Sequence, residues 1–122
     1  MNILIVDDEI IIRALLLDVL KSDGHDVYAV SNGFDAIKLI KKKNIDLVFS
    51  DVHMPEMNGY DLLTQIQSSQ PEITVIMMDS YPEDLSERCL ERGALKCVHK
   101  PFDIKELREV IKNIEKNKPP RQ

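Results

Sequence analysis

The 122-residue chain has no apolar run approaching the roughly 20 residues that a membrane-spanning helix needs. Nothing at its start reads as a signal peptide, because Met1 leads directly into Ile3, Leu4, Ile5 and Val6. It has no basic excess either: 16 Lys and Arg stand against 21 Asp and Glu, a formal net charge of −5. That balance argues against nonspecific attraction to nucleic acid, and no stretch reads as a basic recognition helix. Cysteine is scarce. Cys89 and Cys97 lie eight positions apart and make no CxxC pair, so buried or idle thiols are expected rather than a disulfide or a metal cluster. There is no internal repeat and no low-complexity segment. With 43% apolar and 30% charged residues, the chain reads as one cytoplasmic globular domain, long enough to bury a single core without staples.

Short β-type runs alternate with helical stretches from end to end. Residues 3–6, 26–30, 47–50, 74–78 and 96–99 read as strands, the first apolar on consecutive positions like a strand covered on both faces. Between them, residues 11–21 place Ile12, Leu15, Leu16, Val19 and Leu20 at helical spacing, and Asp23 and Gly24 end that helix. Residues 34–43 point Phe34, Ile37, Leu39 and Ile40 toward a core, while Lys41, Lys42 and Lys43 suit the negative end of the helix dipole. A third helix carries Leu62, Leu63 and Ile66. A fourth opens at Pro82 and runs to Arg92 before Gly93. In the last, Asp103 and Glu106 read as a capping box ahead of Leu107, Val110, Ile111 and Ile114. The domain is expected over residues 1–116. Residues 117–122, polar and Pro-containing, are either a frayed terminus or the start of a linker.

Five β-α units in strict alternation imply a parallel sheet with helices on both faces. In such sheets ligands bind beyond the carboxyl ends of the strands. Asp7, Asp8 and Glu9 follow strand one, Asp51 follows strand three, and Lys100 follows strand five. Gathered at one edge, Asp7, Asp8 and Asp51 would repel one another, and a divalent cation relieves that repulsion. Hard oxygen ligands of this kind suit Mg²⁺.

On these residues the chain resembles the receiver domains of two-component response regulators, from Ile3 to about Ile114. The matching features are Val6-Asp7-Asp8-Glu9, Ser50-Asp51-Val52-His53-Met54-Pro55, Asn58-Gly59-Tyr60, Gly93-Ala94 and Lys100-Pro101-Phe102, in family order. The resemblance implies a flavodoxin-like, doubly wound five-stranded sheet of order 2-1-3-4-5 with five helices. It implies Asp51 as phosphoacceptor from a histidine kinase or phosphotransfer protein. Mg²⁺ is then expected on Asp7, Asp8, Asp51 and the backbone carbonyl of His53. Lys100 is expected to contact the phosphoryl oxygens, with a Lys-Pro bond that is commonly cis. Output is expected through the face of the last helices and strand five, toward an output domain or effector, with a weak dimer through the last helices. Such a domain is a signalling switch rather than a metabolic enzyme.

Two positions depart from the family. A Thr or Ser is usual after strand four, where Asp79 stands here, and an ionised carboxylate cannot donate the hydrogen bond that a hydroxyl gives a phosphoryl group. Two charges about 5 Å apart at an effective dielectric near 20 repel by roughly 3 kcal/mol. Asp79 either turns outward while Ser80 supplies a hydroxyl, or sits in the pocket and perturbs it, or mimics a charged active state. Cys97 stands where an aromatic is frequent, and reads as a small packed hydrophobe, leaving Tyr81 as the nearest aromatic. The alternative reading is a pseudo-receiver, a protein-interaction module phosphorylated weakly or not at all because of Asp79. A phosphohydrolase fits less well, because Asp7 and Asp8 are adjacent. His53 and His99 are expected near the pocket without a special role, and His25 beside a turn.

Overall fold

The structure is a computed structural model and describes residues 1–80 and 84–117. Tyr81, Pro82 and the tail after Asn117 lie outside the described residues, and with them the expectations placed there. Five strands, β1 (Asn2–Val6), β2 (Asp26–Val30), β3 (Leu47–Asp51), β4 (Thr74–Asp79) and β5 (Lys96–His99), form one parallel sheet of order β2-β1-β3-β4-β5. Five helices alternate with them: α1 (Ile10–Ser22), α2 (Gly33–Lys42), α3 (Gly59–Ser69), α4 (Asp84–Arg92) and α5 (Ile104–Asn117). Fold and strand order match the expectation from the sequence.

The period of two along each strand divides the core into two layers. Ile3, Ile5, Phe49, Ile76 and Met78 face α1 and α5, meeting Leu16, Leu20, Leu107 and Ile111. Leu4, Val6, Val48, Val75 and Met77 face the other way, meeting Ala36 and Ile40 of α2, Leu62, Leu63 and Ile66 of α3 and Cys89 of α4. Because residues on both faces of the sheet are covered, β1, β3 and β4 read as continuous apolar runs.

Several local expectations shift. Phe34 is half-exposed rather than core-facing, since Asn32 caps α2 and phases it so that Gly33, Ala36 and Ile40 point inward. Leu15 likewise faces outward while Leu16 and Leu20 are buried. The box at α5 does not close as read. The Asp103 carboxylate accepts from the Lys105 N–H at 2.9 Å, and Glu106 instead lies 3.4 Å from Lys96 on β5. A full capping box occurs at α3, where the Asn58 side chain accepts from the Asp61 N–H and Asp61 returns the bond to the Asn58 N–H. α1 ends at Asp23 with Gly24 at φ 91°, a left-handed turn that glycine adopts without strain. No helix among the described residues is long and apolar enough to cross a membrane.

Candidate functional site at the carboxyl edge of the sheet

The site residues sit where the central strands end. Asp51 is the last residue of β3, Asp7 directly follows β1, and Lys100 directly follows β5. Carboxylate oxygens of Asp7, Asp8 and Asp51 lie within 4.8 Å of one another. Asp7 is fully buried and Asp51 nearly so, while Asp8 is exposed at the mouth. Backbone packing brings the loop after β3 close to the site: the Gly59 N–H bonds the Val52 carbonyl at 2.8 Å. A Cβ at Gly59 would collide with the Asp51 carbonyl and the Met77 methyl, so glycine is required there for close approach.

Lys100 supplies the positive charge. Its ammonium is 2.7 Å from Asp7 Oδ2, 3.1 Å from Glu9 Oε1 and 3.4 Å from Asp51 Oδ2, with the side chain only 7% exposed. The following peptide bond, Lys100-Pro101, is cis. Burial pushes the Asp51 carboxyl up to about 6; the Lys100 ammonium pulls it down, and Asp7 adds to the rise. Burial alone would lower the Lys100 pKa, but its bond to Asp7 and the charges of Asp51 and Asp7 hold it above the ordinary lysine value. The His53 N–H lies 3.4 Å from Asp51 Oδ1, and the imidazoles of His53 and His99 are exposed.

The other three sequence-flagged positions lie elsewhere. Asp79 is the last residue of β4 and shares the face of Met77, so its carboxylate enters the layer under α4. There it is fully buried and accepts a hydrogen bond from the Ser86 hydroxyl of α4, while Ser80 is exposed. Among the three readings of this residue, an outward-turned carboxylate is excluded by that burial. Cys89 and Cys97 are free thiols in the same layer. Burial, the neighbouring Cys97 and Asp79 push the Cys89 thiol up to about 11, with Arg88 opposing, and Cys97 is raised for similar reasons. Both thiols are therefore neutral packing groups near neutral pH.

Three further residues shape the site and its surroundings. Glu9 reaches Lys100, and its place beside Asp7 and Asp8 was the available hint. Arg13 donates from Nη1 to the Asp7 carbonyl at 2.8 Å, one helical turn after Glu9. Ser86 meets Asp79 only because α4 packs where it does, and no sequence spacing signals that.

The comparisons agree with this geometry. The chain matches the family model of the response regulator receiver domain over residues 3–112, and it belongs to that family. It is 39% identical over 112 residues to the sporulation initiation phosphotransferase F of Bacillus subtilis, covering 91% of this chain and 90% of that protein. It is 34% identical over 121 residues to the DNA-binding transcriptional regulator NtrC of Azospirillum brasilense, covering 98% of this chain but only 25% of that one. Against the sensor histidine kinase RcsC of Escherichia coli it spans 12% of the relative's length, at 37% identity. Among solved structures, the receiver domain of NtrX from Brucella abortus superposes with a TM-score of 0.89 at 28% identity, covering 95% of this chain and 99% of that one. The chain is thus a receiver domain of the two-component signalling type.

Proposed function

We propose that Asp51 accepts a phosphoryl group and that Asp7, Asp8 and Lys100 equip it to do so. One observation carries this reading: a nearly buried carboxylate at the end of β3 has two further carboxylates within 4.8 Å and a buried ammonium 3.4 Å away. Three carboxylates converging at that range are a hard-oxygen donor set that fits Mg²⁺. The ion would be held by Asp7, Asp8, Asp51 and the His53 backbone carbonyl. When bound it supplies charge neutralisation for the phosphoryl oxygens.

The chain's own residues perform the rest. An Asp51 carboxylate oxygen attacks phosphorus in line, forming an acyl–O–P bond as the bond to the donor's leaving atom breaks. Lys100 turns from Asp7 and Glu9 to a phosphoryl oxygen, a short movement for an ammonium already 3.4 Å from Asp51. The donor fitting this chemistry is a phosphohistidine on a histidine kinase or phosphotransfer protein. This assignment also places the domain in the cytoplasm, with a signalling rather than a metabolic role. The similarity to a protein named as a phosphotransferase supports it. Intact mass after incubation with Mg²⁺ and a small phosphodonor, beside Asp51→Asn, tests the proposal. A Mg²⁺-dependent gain of one phosphoryl group that disappears in the variant is expected. A wild-type mass that never changes would overturn the assignment.

A further inference from the structure

The buried carboxylate of Asp79 has no part in the chemistry above, yet it joins the pocket to α4. Its backbone carbonyl accepts the Lys100 N–H at 2.7 Å, and its side chain accepts the Ser86 hydroxyl. We propose that the Asp79–Ser86 pair is a latch that holds α4 on the sheet whatever the state of Asp51, so that phosphorylation leaves α4 and β5 in place and is read at the pocket mouth. This inference rests on Asp51 being the acceptor.

Three observations lead to it. First, α4 is short and its buried side chains are small. Of its nine residues Ser86 and Cys89 are buried, Leu85 packs partly buried against the core and Arg88 lies over the Tyr60 ring of α3, while Leu90 on its outer side is exposed. Two small buried side chains contribute little apolar burial, so the buried Ser86–Asp79 hydrogen bond adds appreciably to the anchorage that Leu85 and Arg88 provide. Second, the donor is engaged within this layer. The Ser86 hydroxyl gives its one proton to Asp79 and also lies within hydrogen-bond reach of the Cys97 thiol. Third, the acceptor has no reason to leave. Strand alternation sends Asp79 to the Met77 face and Asp51 to the face of Phe49 and Met78. An added phosphoryl group is negative, and it repels a carboxylate rather than drawing it across. A hydroxyl in place of Asp79 would be attracted instead, and moving it would move what it holds.

The experiment is amide hydrogen exchange on the full chain, with Mg²⁺, with and without beryllofluoride, an acyl-phosphate mimic. In the wild type, the loop at residues 52–58 should gain protection, while exchange rates in α4 and β5 change by less than about twofold. Removing the latch with Ser86→Ala should speed α4 exchange about tenfold or more before any beryllofluoride is added. Asp79→Thr should create a beryllofluoride response in α4 of about fivefold or more, on the same scale of one hydrogen bond gained or lost. A response of that size in wild-type α4 would overturn the inference, and so would α4 protection that Ser86→Ala leaves unchanged or an Asp79→Thr variant without a response. If beryllofluoride protects nothing and a small phosphodonor adds no mass, the acceptor reading and the latch fall together. Added mass with a mobile wild-type α4 removes the latch alone.

Discussion

Raising the pH of the metal-free protein from about 5 to about 8 should lower its stability, with Asp51 responsible. Burial raises this carboxyl from 3.8 to about 6, against the pull of Lys100. A carboxyl that holds its proton more tightly when folded contributes stability that is fully present below about 3.8 and lost as pH rises through about 6. With those two values, linkage gives a loss on the order of 1 kcal/mol between pH 5 and pH 8. Other groups titrate in this window. His25, lowered by burial and by the N-terminal ammonium, contributes with the opposite sign. Asp51→Asn cancels them, because the variant shares every group except the one in question. The charge of Lys100 is constant in this range, so its lost partner shifts the variant's stability by an amount independent of pH. Urea unfolding of both proteins in EDTA across this range should show the variant gaining on the order of 1 kcal/mol on the wild type. Saturating Mg²⁺ should flatten that gain, since a bound cation favours the ionised carboxyl. A difference that stays constant with pH, or one that moves in favour of the wild type, would refute the reasoning. It would mean that Lys100 and the His53 N–H outweigh burial.

Lys100→Ala leaves Asp7, Glu9 and Asp51 without their shared cation, and should destabilise the protein in EDTA by about 3 kcal/mol, much of it recovered with Mg²⁺, as read by urea unfolding. Gly59→Ala forces a methyl against the Asp51 carbonyl and should cost about 1–3 kcal/mol, seen as a lower Tm. Arg13→Ala frees the Asp7 carbonyl and should weaken Mg²⁺ binding about tenfold by calorimetric titration. Asn58→Ala removes the cap of α3 and should cost about 1 kcal/mol in denaturant unfolding, with little change in Mg²⁺ affinity.

Much of this was legible in the sequence because it depends on local periodicity. Strands buried on both faces read as unbroken apolar runs, and the alternation of strands and helices leaves few topologies, so the placement of Asp7, Asp51 and Lys100 at one edge followed from strand ends alone. What could not be read was phase and partner. Phe34 is apolar and expected inward, yet the cap at Asn32 sets the rotation of α2 and leaves the ring half-exposed. Glu106 has the spacing of a capping residue and still turns to Lys96, since a charge across on β5 competes with a backbone N–H. Family position makes Asp79 a neighbour of Asp51. Strand alternation gives it the other face, and Ser86 its partner, through a helix placement that no spacing encodes.

Lys100 carries one more consequence. In the metal-free pocket it is the internal counterion, closest to Asp7, the fully buried member of the acidic trio. A divalent ion held by Asp7, Asp8 and Asp51 would share that neutralising task and would loosen the ammonium from its present partners. On the proposed function, cation loading and release of the lysine would be a single exchange. Metal and lysine would compete for the same two buried carboxylates, Asp7 and Asp51.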